Sequence, residues 1–312
     1  MLKYLPEFLK GGVNLLFMVI HTLFWCSWMY VFYAIRQLAP SRTIKTWANR
    51  ILLKLGNGWV GSNSLLMDLA HETKWEIPDL SHLKLNDWYF ITCNHQCWMD
   101  ILILQKIFLR RIPFIRFFIK KELLWLPVLN GAWYAYDFPI LRRYPKHVLE
   151  KNPHLRGKDI EVTKKACAKF KHYPVTILNF LEGTRFTSAK HHKQQSPYLN
   201  LLNPKIGGLA FALQAMNGQI NKIIDVTIVY PEGPKSFWDF LCGRVKKVTV
   251  NIEERMIPNE LLSGDYVNDP VYRDKFKSWA TTLWQEKDRK LTQLLSDKPS
   301  SSTSQNIAEG LA

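Results

Sequence analysis

The longest hydrophobic pattern lies near the start of the chain. From Val13 to Ile35, 23 positions pass without a Lys, Arg, Asp or Glu. A helix of that length runs about 35 Å, enough for a hydrocarbon core of about 30 Å. A secretory signal has a shorter apolar core followed by a small-residue cleavage site; here the bulky stretch Ile35 to Pro40 follows. Trp25, Trp28, Tyr30 and Tyr33 crowd the C-terminal half, where an interfacial aromatic belt would sit. Asn14, His21 and Thr22 interrupt the pattern. A transmembrane helix, an interfacial helix and a buried core helix therefore all stay open. His21 is expected to pack against polar neighbours.

A second helix is expected over Ser41 to Leu55, with Ile44, Trp47, Ala48, Ile51, Leu52 and Leu55 at helical spacing. Its Arg42, Lys45 and Arg50 suit an anionic bilayer surface and an ordinary solvated face equally. After Gly56–Gly61 the pattern changes to strands and helices. Trp88–Cys93, Phe117–Ile119, Trp133–Phe138, Val175–Phe180, Ile223–Tyr230 and Val245–Ile252 read as strands. Ile101–Phe108, Asp159–His172 and Gly207–Met216 read as helices. Asp269–Pro270 opens a last helix carrying Phe276, Trp279, Leu283 and Leu291. The alternation predicts an α/β fold, a mixed, mainly parallel sheet flanked by helices, behind an N-terminal transmembrane or interfacial helix. Three parts are expected: an anchor helix at 1–40, the main domain at 41–296, and a disordered tail at 297–312 rich in Ser and poor in apolar residues.

Composition changes the picture in two ways. Of the 312 residues, 47% are hydrophobic and 22% charged, which excludes a largely disordered protein. The 42 Lys and Arg outweigh 26 Asp and Glu, a net +16 that favours anionic partners: nucleic acid, anionic lipid or a phosphorylated substrate. Arg36, Arg42, Lys45, Arg50 and Lys54 follow the apolar run, against Lys3 and Lys10 before it, offset by Glu7. The positive-inside rule then puts the main domain in the cytoplasm. The five cysteines are odd in number and scattered, which argues for a reducing compartment.

The candidate chemistry begins where the run Phe90–Asp100 ends a strand and opens a helix. His95 and Asp100 are five positions apart, so on one continuous helix they would point about 140° apart. They meet if His95 lies in the turn and Asp100 in the first helical turn behind it. Asp100 then fixes the imidazole tautomer and leaves the other nitrogen free as a base. The bland alternative is a first-turn acid beside an ordinary histidine. Glu182-Gly183-Thr184-Arg185 closes the later strand Val175–Phe180. A tight turn, exposed backbone N–H groups and a guanidinium together suit a phosphate, and equally a surface ion pair.

Several blocks occur in order: Asn94-His95-Gln96 with Asp100, then Lys120-Lys121-Glu122-Leu123 and Pro127, then Ile140-Leu141-Arg142-Arg143, then Phe180 to Arg185, then Val226 to Pro231. In this the chain resembles the glycerolipid acyltransferases, most of all the bacterial membrane-bound 1-acyl-sn-glycerol-3-phosphate acyltransferases, over about residues 70–255. The resemblance implies that His95 is the general base and Asp100 its partner. It implies that Glu182, Gly183, Thr184 and Arg185 form the block tied to the acceptor phosphate. Arg143 is likewise implied in acceptor binding, with Lys120 or Lys121 nearby. Two departures stand out. No glycine opens the Asp137–Arg143 block, and Leu181 stands where proline is common. Both bear on the acceptor headgroup more than on the reaction.

The implied reaction moves an acyl group from acyl-CoA or acyl-carrier protein to the free hydroxyl of lysophosphatidic acid or another lysophospholipid. Acyl thioesters are already activated, so removing the hydroxyl proton suffices, and no cofactor is expected. The oxyanion is expected to lie on backbone amides. The implied place is a bacterial inner membrane, with the catalytic domain on the cytoplasmic side. Other readings carry less. Cys93, His95 and Cys97 lack a fourth metal ligand at familiar spacing. Cys97 as an acyl-carrying nucleophile competes with simple packing. His191 and His192 are expected in a solvated loop. Arg110 to Lys121 interleaves cations with aromatics, a pattern that suits nucleic acid, but beside an apolar anchor it points to an anionic membrane.

Overall fold

The computed structural model describes residues 5–141, 151–152, 167, 170 and 173–296. The apolar run lies within helix α1 (Glu7–Leu38). Helix α2 (Arg42–Ala70) starts at Ser41, whose side chain accepts the Thr43 N–H, and packs back along α1. His21 meets Ser62 Oγ at 2.6 Å and Trp25 Nε1 at 2.9 Å, the polar neighbours expected for it. The second helix was expected to stop at Leu55, but it runs on through three glycines. Close approach explains this: a Cβ on Gly56 would stand 2.9 Å from the Phe114 ring. Tertiary packing here overrides the poor helix propensity of glycine.

Six strands form one sheet in the order β1 (Lys74–Glu76), β8 (Lys247–Met256), β7 (Lys222–Val229), β2 (Tyr89–Cys93), β6 (Thr176–Phe180), β3 (Ile115–Phe117). Every neighbouring pair is parallel except β7 with β8. The predicted mixed, mainly parallel sheet is what forms. Strand β2 is buried along its whole length, as a central parallel strand must be. Its Tyr89, Ile91 and Cys93 join a core with helix α3 (Met99–Phe108), while Phe90 joins the core beneath the last helix, Pro270–Ser296. That helix opens as the sequence suggests: Asp269 accepts the Tyr272 N–H, and Phe276, Leu283, Trp284 and Leu291 are buried.

Several expectations need correction. Trp133–Phe138 is not a strand. Helix α4 (Leu129–Ala135) occupies its first part, and Asp137 turns the chain at φ 54°. Buried Ala132, Trp133, Ala135 and Tyr136 follow helical spacing, which the aromatic alternation disguises. The Phe117–Ile119 run splits: β3 ends at Phe117, and β4 (Ile119–Lys120) pairs with β5 (Ile140–Leu141) in a separate small sheet. His191 and His192 lie in a short helix, Ser188–Gln194, capped by Thr187, and not in a loop. His191 bonds the Tyr198 carbonyl at 2.6 Å. Of the helix expected at Asp159–His172 only Cys167 and Phe170 are described, both buried; Arg143 and the tail 297–312 fall outside the described residues.

Strands β2, β3, β6 and β7 run parallel, so the segments after them leave the sheet at one edge, where sites in such folds assemble. Helix α1 is tied at both ends to segments leaving that edge. Glu7 pairs with Arg244 at 2.8 Å and Asn14 Nδ2 donates to the Leu241 carbonyl. At the far end Arg36 pairs with Asp137 at 3.3 Å, and Tyr30 donates to the Val128 carbonyl.

Candidate active site

At the end of β2, Asn94 behaves toward β7 like one more strand residue. Its Nδ2 donates to the Ile228 carbonyl and its Oδ1 accepts the Ile228 N–H, both at 2.9 Å. This fixes the turn from which His95 projects. Asp100 lies in the first turn of α3, fully buried. His95 Nδ1 sits 2.8 Å from Asp100 Oδ2, which also accepts the backbone N–H groups of Gln96 (2.6 Å) and Cys97 (3.0 Å). An oxygen facing those donors acts as acceptor, so Nδ1 carries the proton and Nε2 presents its lone pair. Phe180, the last residue of β6, stacks on the imidazole at 4.0 Å between centroids and 18° between planes. The strand-to-helix turn thus makes the pairing that a continuous helix would forbid.

The two sequence blocks are joined through the backbone. Glu182 Oε1 accepts the His95 N–H at 2.7 Å, its Oε2 accepts the Leu202 N–H at 3.1 Å, and the His95 carbonyl accepts the Phe186 N–H at 2.7 Å. Glu182 is fully buried, and burial pushes its carboxyl up to about 7, against the pull of those two N–H groups. Gly183 takes φ 64°, a left-handed turn that a side chain would strain. Thr184 Oγ1 and the Arg185 carbonyl both accept from Lys190 Nζ, at 2.9 and 2.8 Å. Arg185 is exposed, and its guanidinium lies 5.0 Å from the centre of the Trp98 ring, three residues after His95. Lys120 and Lys121, also exposed, follow β3 at the same edge of the sheet.

Sequence reasoning missed several contributors. Tyr230, just past β7, donates its hydroxyl to Asp100 Oδ1 at 2.6 Å and accepts from Cys97 Sγ at 3.1 Å. Asn94 and Phe180 stand in the sequence blocks with no role of their own, and nothing there points to Trp98 or Lys190. An aromatic closing an apolar strand reads as core, and nothing local tells that its hydroxyl reaches a carboxylate. Burial and the Asp100 carboxylate push the Cys97 thiol up to about 12, which keeps it protonated and poor as a nucleophile.

The family model described as acyltransferase matches residues 75–231, half of the chain, and covers every element of this site. The chain belongs to the acyltransferase family. Relatives include the yeast 2-acyl-1-lysophosphatidylinositol acyltransferase, 23% identical over 245 residues covering 67% of this chain and 61% of that protein. The mouse 1-acyl-sn-glycerol-3-phosphate acyltransferase epsilon is 26% identical over 241 residues, covering 68% and 59%. The chain thus spans about three fifths of the length of the curated relatives it matches. Among solved structures, the 1-acyl-sn-glycerophosphate acyltransferase PlsC of Thermotoga maritima superposes with a TM-score of 0.49 at 17% identity, over 91% of this chain and 99% of that one.

Proposed function

We propose that the chain is a lysophospholipid acyltransferase. It moves a fatty acyl group from acyl-CoA or acyl-carrier protein to the free hydroxyl of 1-acyl-sn-glycerol-3-phosphate, giving phosphatidic acid. The observation that carries this reading is the His95–Asp100 pair at 2.8 Å, with Arg185 brought over Trp98 beside it.

The chemistry follows from those groups. His95 Nε2 takes the acceptor's hydroxyl proton as its oxygen attacks the thioester carbonyl. Asp100 stabilises the imidazolium that results. The tetrahedral intermediate collapses, the carbon–sulfur bond breaks, and the leaving thiolate takes the proton back from His95. No resident cofactor or metal is needed, because the thioester brings its own activation. Arg185 offers a phosphate two parallel N–H donors and so aligns the glycerol hydroxyl with His95. Lys120, Lys121 and Arg143 are proposed as further cations for the headgroup. Glu182 and Gly183 act from behind: the first pins the His95 backbone, the second lets the chain turn. A lysophosphatidylinositol acceptor is the second reading, favoured by the name of the yeast relative.

The membrane face is α1. The helix is long and apolar enough to cross a bilayer, yet only 11% of its most apolar stretch is buried in the protein. Phe8, Leu16, Phe17, Ile20, Phe24 and Trp28 are exposed over a broad part of its circumference. A helix of 32 residues is about 48 Å long, and both ends are tied to the same domain. We therefore read α1 as lying in one leaflet with its exposed apolar side chains in the acyl chains, and not as spanning. Arg42, Lys45, Arg50 and Lys54 of α2 then meet anionic headgroups. The resemblance to bacterial enzymes supports a bacterial inner membrane with the domain on its cytoplasmic side as the proposed place.

Product analysis by mass spectrometry tests the reaction, with paired lysolipids and acyl donors offered to wild type and His95→Ala. Phosphatidic acid from wild type, and a loss of about 10²–10⁴-fold in the variant with membrane binding retained, is the expected result. Near-normal turnover by His95→Ala would refute the base assignment.

A further inference from the structure

Asp100 has a second oxygen, and its partner Tyr230 stands in the last of the sequence blocks, Val226 to Pro231, with no role read for it there. Oδ2 serves His95, Gln96 and Cys97; Oδ1 faces the Tyr230 hydroxyl at 2.6 Å and the Cys97 thiol at 3.5 Å. The carboxylate is fully buried, Tyr230 is 3% exposed, and no bulk water competes for Oδ1. The tyrosine is held from two directions. Strand β7 carries it directly out of the ladder with β2, and the Asn94–Ile228 double hydrogen bond locks that strand end two residues earlier. Beneath, Lys287 of the last helix donates to the Val226 carbonyl at 2.6 Å and pairs with Asp225 at 2.8 Å. Burial and the adjacent Asp100 push the phenol well above its ordinary value, which favours the protonated, donating form.

We propose that Tyr230 is a positioning residue of the site: its hydroxyl holds the Asp100 carboxylate in the rotamer that meets His95 and sets how strongly that carboxylate draws the imidazole proton. Two consequences follow. Without the hydroxyl, Oδ1 keeps only a thiol at 3.5 Å, and the carboxylate is held in its orientation from the Oδ2 side alone. The charge once shared with the phenol also falls more fully on Oδ2, which stabilises the imidazolium. His95 then titrates at higher pH, and less of the neutral base is present on the acid side. A better donor at the same place acts in the opposite sense.

This inference rests on the acyl-transfer reading for its catalytic meaning, but its test does not need turnover. His95 is titrated by NMR on histidine-labelled full-length protein, its signal identified by its absence from His95→Ala. Three forms are compared: wild type, Tyr230→Phe, and protein carrying a ring-fluorinated tyrosine at 230, which keeps the shape and donates more strongly. The expected result is an upward shift in Tyr230→Phe and a downward shift with the fluorinated ring. In turnover, kcat of Tyr230→Phe falls about tenfold with KM within about twofold, and the acid limb of the pH profile moves up with the His95 titration. If the fluorinated form titrates as wild type does, the proposal is overturned, whether or not Tyr230→Phe folds. Should wild type itself transfer no acyl group, the proposed reaction falls, while the titrations still decide the role of Tyr230.

Discussion

The carboxylate of Glu182 holds the backbone N–H of His95 at 2.7 Å across 87 positions of sequence. Its other oxygen holds Leu202, so one buried side chain ties the turn of the base to two more segments of the same edge. The charge that makes this clamp strong is also the charge that burial opposes. Its carboxyl, ordinarily at 4.5, is pushed up to about 7, so the folded chain holds this proton more tightly than the unfolded one. The stability it contributes is complete below about 4.5 and is lost as pH rises through about 7. Glu182→Gln carries no such proton. Urea unfolding from pH 4.5 to 8 should show wild type losing on the order of 3 kcal/mol relative to the variant across that window. Parallel curves for the two proteins would remove the raised carboxyl from the account.

Asp100→Asn puts an amide where two backbone N–H groups and the imidazole Nδ1–H all seek an acceptor. The amide oxygen serves one side only, and the wrong histidine tautomer is favoured. Turnover should fall by about 10³–10⁴-fold with little change in KM, as measured by steady-state kinetics on lysophosphatidate. A loss confined to KM would show that Asp100 does not serve the base.

Arg185→Gln removes a charge-assisted contact to phosphate, worth about 1.5–3 kcal/mol. KM for lysophosphatidate should rise about 10- to 100-fold, while an uncharged acceptor, if used at all, is unaffected. Trp98→Ala frees the guanidinium from its ring, and a cation–π contact at an exposed site is worth about 0.5–1 kcal/mol, so the same KM should rise about two- to fivefold. Equal loss with charged and uncharged acceptors would detach Arg185 from phosphate recognition.

The five cysteines are all free and buried, so a membrane-impermeant maleimide has little native background to label. Leu5→Cys and Leu38→Cys bracket α1 at exposed positions. Both should label from the same side of sealed vesicles. Labelling from opposite sides would mean that α1 spans.

Lys287 is buried with its ammonium against Asp225 and the Val226 carbonyl. Lys287→Met takes the ammonium from the Asp225 carboxylate, leaving it the Thr92 hydroxyl at 2.6 Å and Arg255 at 3.6 Å, and should cost at most about 3–5 kcal/mol in a denaturation experiment. The double variant that also carries Asp225→Leu should recover much of it.

Much of the site was legible because its blocks sit at strand ends. The apolar run before His95 announces β2, and the run before Glu182 announces β6, so both turns could be placed at one edge. Tyr230 and Asn94 were hidden because their partners lie 130 and 134 positions away, and no local pattern encodes such contacts. Glu182 was read with the phosphate ligands, yet its carboxylate faces backbone; sequence shows the residue type but not the direction in which it points. The fold misreadings share one cause. Gly56–Gly61 reads as a breaker and Trp133–Phe138 as an alternating strand, yet in both places contacts with other elements outweigh local preference. The Tyr136 ring lies against Gly56 and stacks on Phe114 at 4.8 Å, so each misread segment supports the other.

On the proposed one-leaflet placement, a helix strapped to its domain at Glu7 and again at Arg36 would give no route past the bilayer midplane. Each new phosphatidate would stay in the sheet of lipid that supplied its precursor. That sheet alone would gain mass with every turnover, and evening out the two sides would fall to a separate lipid-flipping machine.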